Sequence, residues 1–297
     1  MLDFRINTFL EVCRCMNYTK AAEQLHITQP AVSQHIRYLE HLYETELFHH
    51  EGKKISLTPS GKLLLRTATA LKSDETLMIS RMQREAQKKQ PMVFGTTMTI
   101  AEFVIGKPLA RYIANHPDTQ VKMVMGNTTD LLEGLQNGSI HFALVEGYFP
   151  AEEYESMVFS REDFFPVCAA GHVFSRTPRR VGDLLTEDLL VREPGSGTRA
   201  ILENVLSVRN ISLERFAKVT EIGSMAALVQ LLKLDCGIAF LHRAAVKQEL
   251  RTGALQVIEL PDFKMNHDFA FIWNKGSVFA ENYRRICREF QGLDANF

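Results

Sequence analysis

Residues 19–40, TKAAEQLHITQPAVSQHIRYLE, decide the fold of the amino-terminal part of this chain. Their apolar residues recur at helical spacing in two short runs, which are Ala21, Ala22 and Leu25 and then Val32, Ile36 and Leu39. Thr19 and Thr28 stand where N-caps are expected, and Pro30 fits a first helical turn because proline lacks an N–H. We therefore predict two short helices joined by a tight turn, the second beginning at Thr28.

The remaining face of the second helix carries side chains that reach base edges and phosphates. The DNA-contacting residues that we predict here are Thr28, Gln29, Pro30, Ser33, Gln34 and Arg37. Two amphipathic helices with a short turn also occur in ordinary bundles, and spacing alone does not separate a recognition helix from such a pair.

The whole amino-terminal stretch resembles the LysR-type transcriptional regulators, whose pattern reads AA..L..(S/T)QPA(V/L)S.QI..LE, then LF, then LT..G. The positions of the first part that match in register are Ala21, Ala22, Leu25, Thr28, Gln29, Pro30, Ala31, Val32, Ser33, Ile36, Leu39 and Glu40. The later positions are filled by Leu47, Phe48, Leu57, Thr58 and Gly61. The chain departs from the pattern at Glu44, where a glycine is common, and at His50, where relatives usually carry an arginine. The resemblance implies a DNA-binding regulator.

Residues 44–61 predict a β-wing, with Ile55 and Leu57 on one face of a short strand. Lys53 and Lys54 at its tip are in a position to meet phosphates, and a solvated turn is the alternative. Together with the two helices before it and a first helix predicted over residues 4–16, this segment is expected to complete a winged helix-turn-helix domain over residues 1–58.

Composition indicates a globular protein with more than one domain, since the chain has 297 residues, of which 45% are hydrophobic and 23% charged. We find no signal peptide and no apolar run as long as a membrane span, and therefore expect a cytoplasmic protein. Residues 1–90 hold 13 Lys+Arg and 10 Asp+Glu, against 21 and 25 in the rest. This excess is weak for a nucleic-acid binder, so phosphate affinity must come from local charge and from several copies in an oligomer.

The five cysteines include no C-x-x-C pair. In a chain without an export signal we expect them to be reduced and buried. We expect no metal and no cofactor.

A long helix is predicted over residues 59–90, with Thr58 as its N-cap and Pro59 in its first position. Its apolar residues recur at steps of three, four and seven, and they are Leu64, Ala68, Leu71, Met78 and Met82. This spacing favours a coiled coil between two copies, hence a homodimer and, by resemblance, a homotetramer. The alternative is a helix packed on its own domain. Residues 87–91 read as a hinge.

From Met92 onward, strands alternate with helices, which predicts a parallel α/β sheet. The fold class that we predict is α+β multidomain, with two α/β subdomains following the linker helix. In the LysR-type family the resemblance implies subdomains of periplasmic-binding-protein type, which clasp an effector between them. The expected effector-binding domain is 91–297, with one subdomain over 92–161 and 267–297 and the other over 162–266.

Open parallel sheets bind ligands beyond the carboxyl ends of their strands, and this rule selects four loops. The candidate residues are Thr97 and Thr99, Asn127 and Thr128, Glu146, and finally Ser196, Gly197 and Thr198. By resemblance, the first, second and fourth loops correspond to effector-contacting positions. Their hydroxyl and amide groups suit a small carboxylate or oxyanion, and the fourth loop has the composition of an anion nest. An ordinary turn with Thr198 as a cap is the alternative there.

Glu146 complicates an anionic ligand, because a carboxylate in the cleft repels it. It either pairs with Arg192 or Arg199, or it selects an effector that bears an amine as well as an acid group, like an amino acid.

Three functions remain to be compared. A regulator accounts for both halves of the chain. An enzyme using the α/β cleft is less favoured, because the sequence contains no H-E-x-x-H, no G-x-S-x-G and no Gly-rich dinucleotide loop. We therefore predict no catalytic residues. A solute-binding transport component conflicts with the missing signal peptide and with the DNA-binding half.

Overall fold

The computed structural model describes residues 3–51, 54–85 and 91–293. The predictions for Lys53 and for hinge residues 87–90 lie outside these ranges. The amino-terminal elements are α1 (Phe4–Cys15), α2 (Tyr18–Leu25), α3 (Gln29–Leu42), β1 (Phe48–Glu51), β2 (Lys54–Leu57) and α4 (Pro59–Glu85). The strands β1 and β2 pair antiparallel, with Phe48 opposite Leu57, so the predicted wing is confirmed as a hairpin.

The predicted start of the second helix is confirmed, and that of the first is wrong. The Thr28 hydroxyl accepts a hydrogen bond from the Ala31 N–H at 3.3 Å, and Pro30 lies in the first turn of α3. Helix α2 is capped by Asn17 and not by Thr19, since the Asn17 side chain accepts from the Lys20 N–H at 3.0 Å. Asparagine caps a helix as well as threonine does, and the helix therefore begins earlier than predicted.

Contacts around the wing explain why the sequence pattern has particular residues at several positions. The Glu40 carboxylate accepts from the Leu47 N–H at 2.9 Å and ties α3 to the wing. A Cβ on Gly61 would lie 2.2 Å from the Leu47 carbonyl oxygen, so only glycine fits where α4 crosses the wing. Glu44 has a φ of 52°, a left-handed conformation that explains why a glycine is common at this position.

The apolar seam predicted along α4 divides into two parts. Ala68 is buried and Leu64 partly buried in the core formed by α1, α2, α3 and the wing, so the prediction that they face a second copy is wrong. The first turns of α4 pack on α1 and cover that core. The prediction is retained for the exposed residues Leu71, Met78 and Met82.

Helix α4 also contacts the second half of the chain. The Asp74 carboxylate is only 7% exposed and accepts from the Ser277 hydroxyl at 2.7 Å and from the Val278 N–H at 2.8 Å. Asp74 thereby anchors the linker helix on the α/β region.

The elements of the α/β region are β3 (Pro91–Thr96), α5 (Met98–Phe103), α6 (Gly106–Asn115), β4 (Gln120–Met125), α7 (Thr128–Asn137), β5 (Phe142–Val145), β6 (Tyr154–Ala169), β7 (Asp188–Val191), α8 (Gly197–Ser207), β8 (Lys218–Glu221), α9 (Met225–Lys233), β9 (Ala239–His242), α10 (Arg243–Thr252), β10 (Leu255–Val257), β11 (Met265–Asn274) and α11 (Ala280–Gln291). One sheet has the order β10-β6-β11-β5-β3-β4, and β9 also pairs with β6. A second, two-stranded sheet joins β7 and β8 in parallel.

The prediction of a parallel sheet is only partly right, because the large sheet is mixed. β3 is parallel to β4 and to β5. β6 and β11 are long strands that pair antiparallel, from Met265 opposite Phe164 to Asn274 opposite Tyr154. This long antiparallel pair carries the chain from one group of helices to the other and back.

Two groups of buried side chains divide this region, and we call them the first and the second lobe. In the first lobe the core residues come from 92–154 and 269–290, on both faces of β3 and β5. In the second lobe they come from 164–263, around β7, α8 and α9. The strands β6 and β11 belong to both.

Two further sequence expectations are checked by the described residues. The prediction of buried cysteines is right for Cys168 and Cys287 only, since Cys13 and Cys15 are half-buried and Cys236 is exposed. Cys236 lies in the turn after α9 beside Asp235, whose φ is 57°. Among the described residues, no helix combines the length and apolar character that a membrane crossing requires.

Candidate functional site

The outer face of α3 forms one wall of an open groove of about 450 Å³. Gln29, Ser33 and Arg37 line it, and the Gln29 side-chain amide donates to the Ser33 hydroxyl at 3.0 Å. Thr28, Pro30 and Gln34 are exposed on the same helix outside the lining of this groove. Lys54 is exposed on β2.

The opposite wall of the groove comes from the start of α2 and from the wing. It contains Asn17, Tyr18 and Thr19 together with His50 and Ile55. The Tyr18 and His50 rings lie with their centroids 5.8 Å apart, and burial raises the pKa of Tyr18 to about 12. Tyr18 therefore keeps its hydroxyl proton. Asn17 and Tyr18 were missed at the sequence level, although an asparagine before a helix is a recognisable cap signal.

The second candidate site lies where β3, β5 and α8 meet. Thr97 is the N-cap residue of α5, Glu146 directly follows β5, and Thr198 lies in the first turn of α8. The Thr97 hydroxyl donates to Oε2 of Glu146, and the Thr99 and Thr198 hydroxyls each donate to Oε1 at 3.0 Å. These side chains are at most 3% exposed.

The hydroxyls that we expected to bind a ligand therefore bind the protein's own carboxyl group. Thr97, Thr99 and Glu146 belong to the first lobe and Thr198 to the second, so this cluster joins the lobes. Burial raises the pKa of Glu146, while the three threonine hydrogen bonds and the charge of Arg192 oppose this shift.

The predicted alternative of an ion pair between Glu146 and a nearby arginine is wrong for the residues that the structure describes. Arg192 is buried and donates to both carboxylate oxygens of Glu193 at 2.8 Å. Arg199 donates to Glu203 at 2.7 Å and to Glu221 at 2.8 Å. Each guanidinium already has a carboxylate partner on the second lobe.

The two lobes approach each other closely at a pair of glycines. A Cβ on Gly197 would lie 2.7 Å from the Gly147 nitrogen, and one on Gly147 would lie 2.9 Å from the Gly197 Cα. A Cβ on Gly147 would also lie 2.5 Å from the Thr128 hydroxyl oxygen, which is buried and has no hydrogen-bond partner in the described part of the chain. Gly197 thus permits close packing of the lobes.

The remaining predicted residues lie beside this cluster without being hydrogen-bonded to Glu146. Asn127 caps α7 and accepts from the Asp130 N–H at 2.9 Å. Ser196 is buried at the N-cap position of α8, next to Gly195, whose φ is 88°. The structure therefore brings Thr97, Thr99, Glu146 and Thr198 into one cluster, with the other candidates around its rim.

Two histidines near the cleft escaped sequence reasoning. His267 on β11 is hydrogen-bonded to the main chain of Glu146, and burial lowers its pKa. His242, at the end of β9, packs against Phe164 and Phe269, with ring centroids 5.0 Å and 4.8 Å away. Its ring nitrogens have no hydrogen-bond partner within the described ranges, and burial lowers its pKa to about 3. The apolar run that His242 ends was the available signal.

Comparison with protein families matches both halves of the chain. Residues 5–62 match the model of the bacterial regulatory helix-turn-helix proteins of the lysR family, and residues 86–291 match the LysR substrate binding domain.

Individual relatives and solved structures agree with the family match. The chain is 26% identical over 273 residues to the HTH-type transcriptional regulator CysL of Bacillus subtilis, covering 90% of this chain and 89% of CysL. It is 29% identical over 265 residues to the regulator CfxR of Cupriavidus necator, covering 86% and 80%. Full-length LysG from Corynebacterium glutamicum, with bound effector Arg, superimposes with a TM-score of 0.59 at 13% identity, covering 99% of each chain. The last likeness concerns the fold alone.

Proposed function

Because this chain belongs to the lysR family of helix-turn-helix transcriptional regulators, we propose that α3 reads the major groove of its operator. The chain is a transcriptional regulator with an effector-binding domain, and the relatives that it matches are regulators. The observation that supports α3 as the reading helix is its exposed polar face, where Gln29, Ser33 and Arg37 line the groove facing the wing. Amide and guanidinium groups form paired hydrogen bonds with adenine and guanine edges. Lys53 and Lys54 are proposed to approach the phosphates.

A double substitution tests this assignment. On an operator selected from random-sequence DNA, Gln29→Ala with Arg37→Ala is expected to weaken binding by about 1–3 kcal/mol for each lost base contact, so at least tenfold. Fluorescence anisotropy at fixed salt measures the affinity. The matched control is Arg14→Ala, which removes an exposed guanidinium from α1 in the same domain. Unchanged affinity in the double variant would show that α3 is not the reading helix.

We further propose that the chain forms a dimer through the exposed apolar half of α4, and a tetramer from two such dimers. Support comes from Leu71, Met78 and Met82, which remain 42%, 44% and 65% exposed on one helix. In this arrangement residues 1–58 form the DNA-binding domain, 59–90 the linker and 91–297 the effector-binding domain. We propose subdomain limits at 161/162 and 266/267, and the course of β6 and β11 between the lobes supports them.

The effector is proposed to bind between the two subdomains at Glu146. Of the two ligand classes considered above, we propose the one that bears an amine as well as an acid group. A bare carboxylate or oxyanion would compete with Glu146 for Thr97, Thr99 and Thr198. An ionised carboxylate has about four acceptor positions, and three are taken by threonines. The remaining one, on Oε2, suits an ammonium group, whose positive charge would favour the ionised carboxylate against the burial that raises the pKa of Glu146.

A thermal-shift screen separates the two classes of ligand. Amino acids and amines are expected to raise the Tm of the native chain, whereas carboxylates lacking an amine, sulfate and phosphate are not. Glu146→Gln is expected to abolish the response, because the neutral amide loses the charge that attracts the amine. Stabilisation of the native chain by sulfate or by an amine-free carboxylate would contradict this choice of ligand class.

A further inference from the structure

The cleft between the lobes has the donor arrangement of an anion site, and its occupant is a side chain of the same molecule. Three buried hydroxyls converge on Glu146, from positions 49, 47 and 52 residues away in sequence. Two lie on the first lobe and one on the second. Such a set of donors satisfies one small oxygen-rich group without help from solvent.

Further contacts make the site occupied by the Glu146 carboxyl group electrostatically favourable for a negative group. A Cβ on Gly197 would lie 3.0 Å from Cγ of Glu146, so the Glu146 side chain lies against the first residue of α8, an 11-residue helix. The amino-terminal end of a helix carries partial positive charge. The nearby Arg192 guanidinium acts in the same direction. A second, independent observation is the buried Thr128 hydroxyl without a partner in the described residues, next to Gly147 at the same contact between lobes.

We propose that Glu146 is a built-in anionic ligand of this cleft, whose carboxyl group takes the place of an external carboxylate or oxyanion and holds the second lobe to the first through Thr198. The inference rests on the proposed function only in taking the cleft as the effector site. Its consequence is that the lobes close without an anion from solution. An amine-bearing effector then meets a cleft that already contains the acid group.

The close packing around Glu146 means that its carboxyl group and an anion from solution cannot occupy the site together. Glu146 and its three threonine partners are nearly inaccessible to solvent, and the Gly147–Gly197 contact leaves no room even for a Cβ. Any effector that reaches Glu146 must first separate the lobes, but an external acid would in addition have to displace the Glu146 carboxyl group from the hydroxyls, whereas an ammonium group would not. Both steps lose hydrogen bonds that the native chain already makes.

Chemical rescue tests the proposal. Glu146→Ala removes the carboxyl group and its methylene spacer but leaves the hydroxyls, and acetate is the probe that matches the missing atoms. The variant is expected to unfold at a lower Tm than the native chain. Acetate at about a hundred times its Kd is expected to raise the Tm of the variant by roughly 5–10 °C, with saturation. The native chain is expected to show no saturable shift, with chloride of equal ionic strength as the reference.

Two controls locate the effect. Glu203→Ala removes a carboxylate from the same helix, α8, where it pairs with Arg199, and acetate is expected not to rescue it. Adding Thr198→Val to Glu146→Ala is expected to reduce the acetate shift, because one of the three donors is lost.

Each outcome decides the matter. A saturable acetate shift in the Glu146→Ala variant alone supports the proposal. It is overturned if acetate stabilises the native chain equally, or if the folded variant shows no shift. If Glu146→Ala does not fold, Glu146→Ser is refolded with and without acetate: recovery of folded protein in acetate alone supports the proposal, and equal recovery overturns it. Operator affinity of the native chain, measured separately, tests the regulator assignment and is independent of the rescue.

Discussion

At the scale of single residues, His242 is a titratable group that is buried near the cleft without a hydrogen-bond partner among the described residues. Its imidazole is 1% exposed between the Phe164 and Phe269 rings, and neither ring nitrogen has a partner among the described residues. Burial therefore holds its pKa at about 3, with a smaller contribution from the charge of His267. The folded chain keeps this ring neutral under conditions in which the unfolded chain protonates it.

The acid sensitivity that follows is measurable. Since the pKa of His242 is lowered by folding, its contribution to stability is lost as the pH falls below the unfolded value of 6.5. Between about pH 7.5 and about pH 4.5, the native chain is expected to lose about 2–3 kcal/mol that a His242→Leu variant keeps. Urea unfolding of both proteins at the two pH values gives the difference. A pH-independent difference would show that the ring is not buried as a neutral group.

Local signals explain which residues were predictable. Thr28 and Pro30 mark the start of α3 because capping and proline geometry involve only adjacent residues. Glu146 was recognised as a difficulty for an anionic ligand, but its partners were not predicted, because they lie about fifty residues away and one belongs to the other lobe. Spacing along the chain contains no information about such contacts.

At the scale of elements, α4 serves two purposes along its length. Its first turns cover the core of the amino-terminal domain with Leu64 and Ala68. Beyond them, Leu71, Met78 and Met82 present an exposed apolar stripe. A stripe at steps of seven and four is typical of a helix that pairs with another helix.

Charged substitutions in this stripe test the proposed dimer. Leu71→Glu with Met78→Glu places two carboxylates where apolar side chains would pack against a second copy, and we expect the assembly to dissociate into monomers that remain folded. Sedimentation velocity and circular dichroism measure the two properties. Val208→Glu, at an apolar residue that is 76% exposed in the second lobe, is the control and is expected to leave the assembly unchanged. An unaltered sedimentation coefficient for the double variant would place the interface elsewhere.

Periodicity predicted the helices well but not their partners. The apolar face of α4 was read as one seam, although its first part is covered within the same chain. Alternating strands and helices were predicted from Met92 onward, but the antiparallel pairing of β6 with β11 depends on residues about a hundred positions apart. The hydrophobic pattern of a doubly covered strand is the same in either direction, so the mixed sheet was not predictable from it.

At the scale of the whole molecule, Asp74 joins the linker helix to the effector-binding region. Its carboxylate accepts from the Ser277 hydroxyl and the Val278 N–H just before α11. The first lobe and α4 therefore share a buried hydrogen-bonded contact. No short-range pattern in the sequence predicted it, since the partners are more than 200 residues apart.

A double-mutant cycle measures the strength of this contact. Asp74→Ala is expected to destabilise the chain by about 1–3 kcal/mol, because it leaves buried donors without an acceptor. Ser277→Ala is expected to cost less, and the double variant less than the sum, with a coupling energy of about 0.5 kcal/mol or more. Urea unfolding gives the free energies. Strict additivity would mean that Asp74 does not bind Ser277 in solution.

The contact of Asp74 with the first lobe also gives α4 a fixed point about which the helix can tilt. The part of α4 between Asp74 and its first residue, Pro59, is about 22 Å long, at ~1.5 Å per residue. A tilt of roughly 9° about Asp74 would move the amino-terminal domain sideways by ~3.4 Å, which is the rise of one DNA base pair. A small rotation of the first lobe would therefore be enough to shift α3, the proposed recognition helix, by about one base pair along its operator.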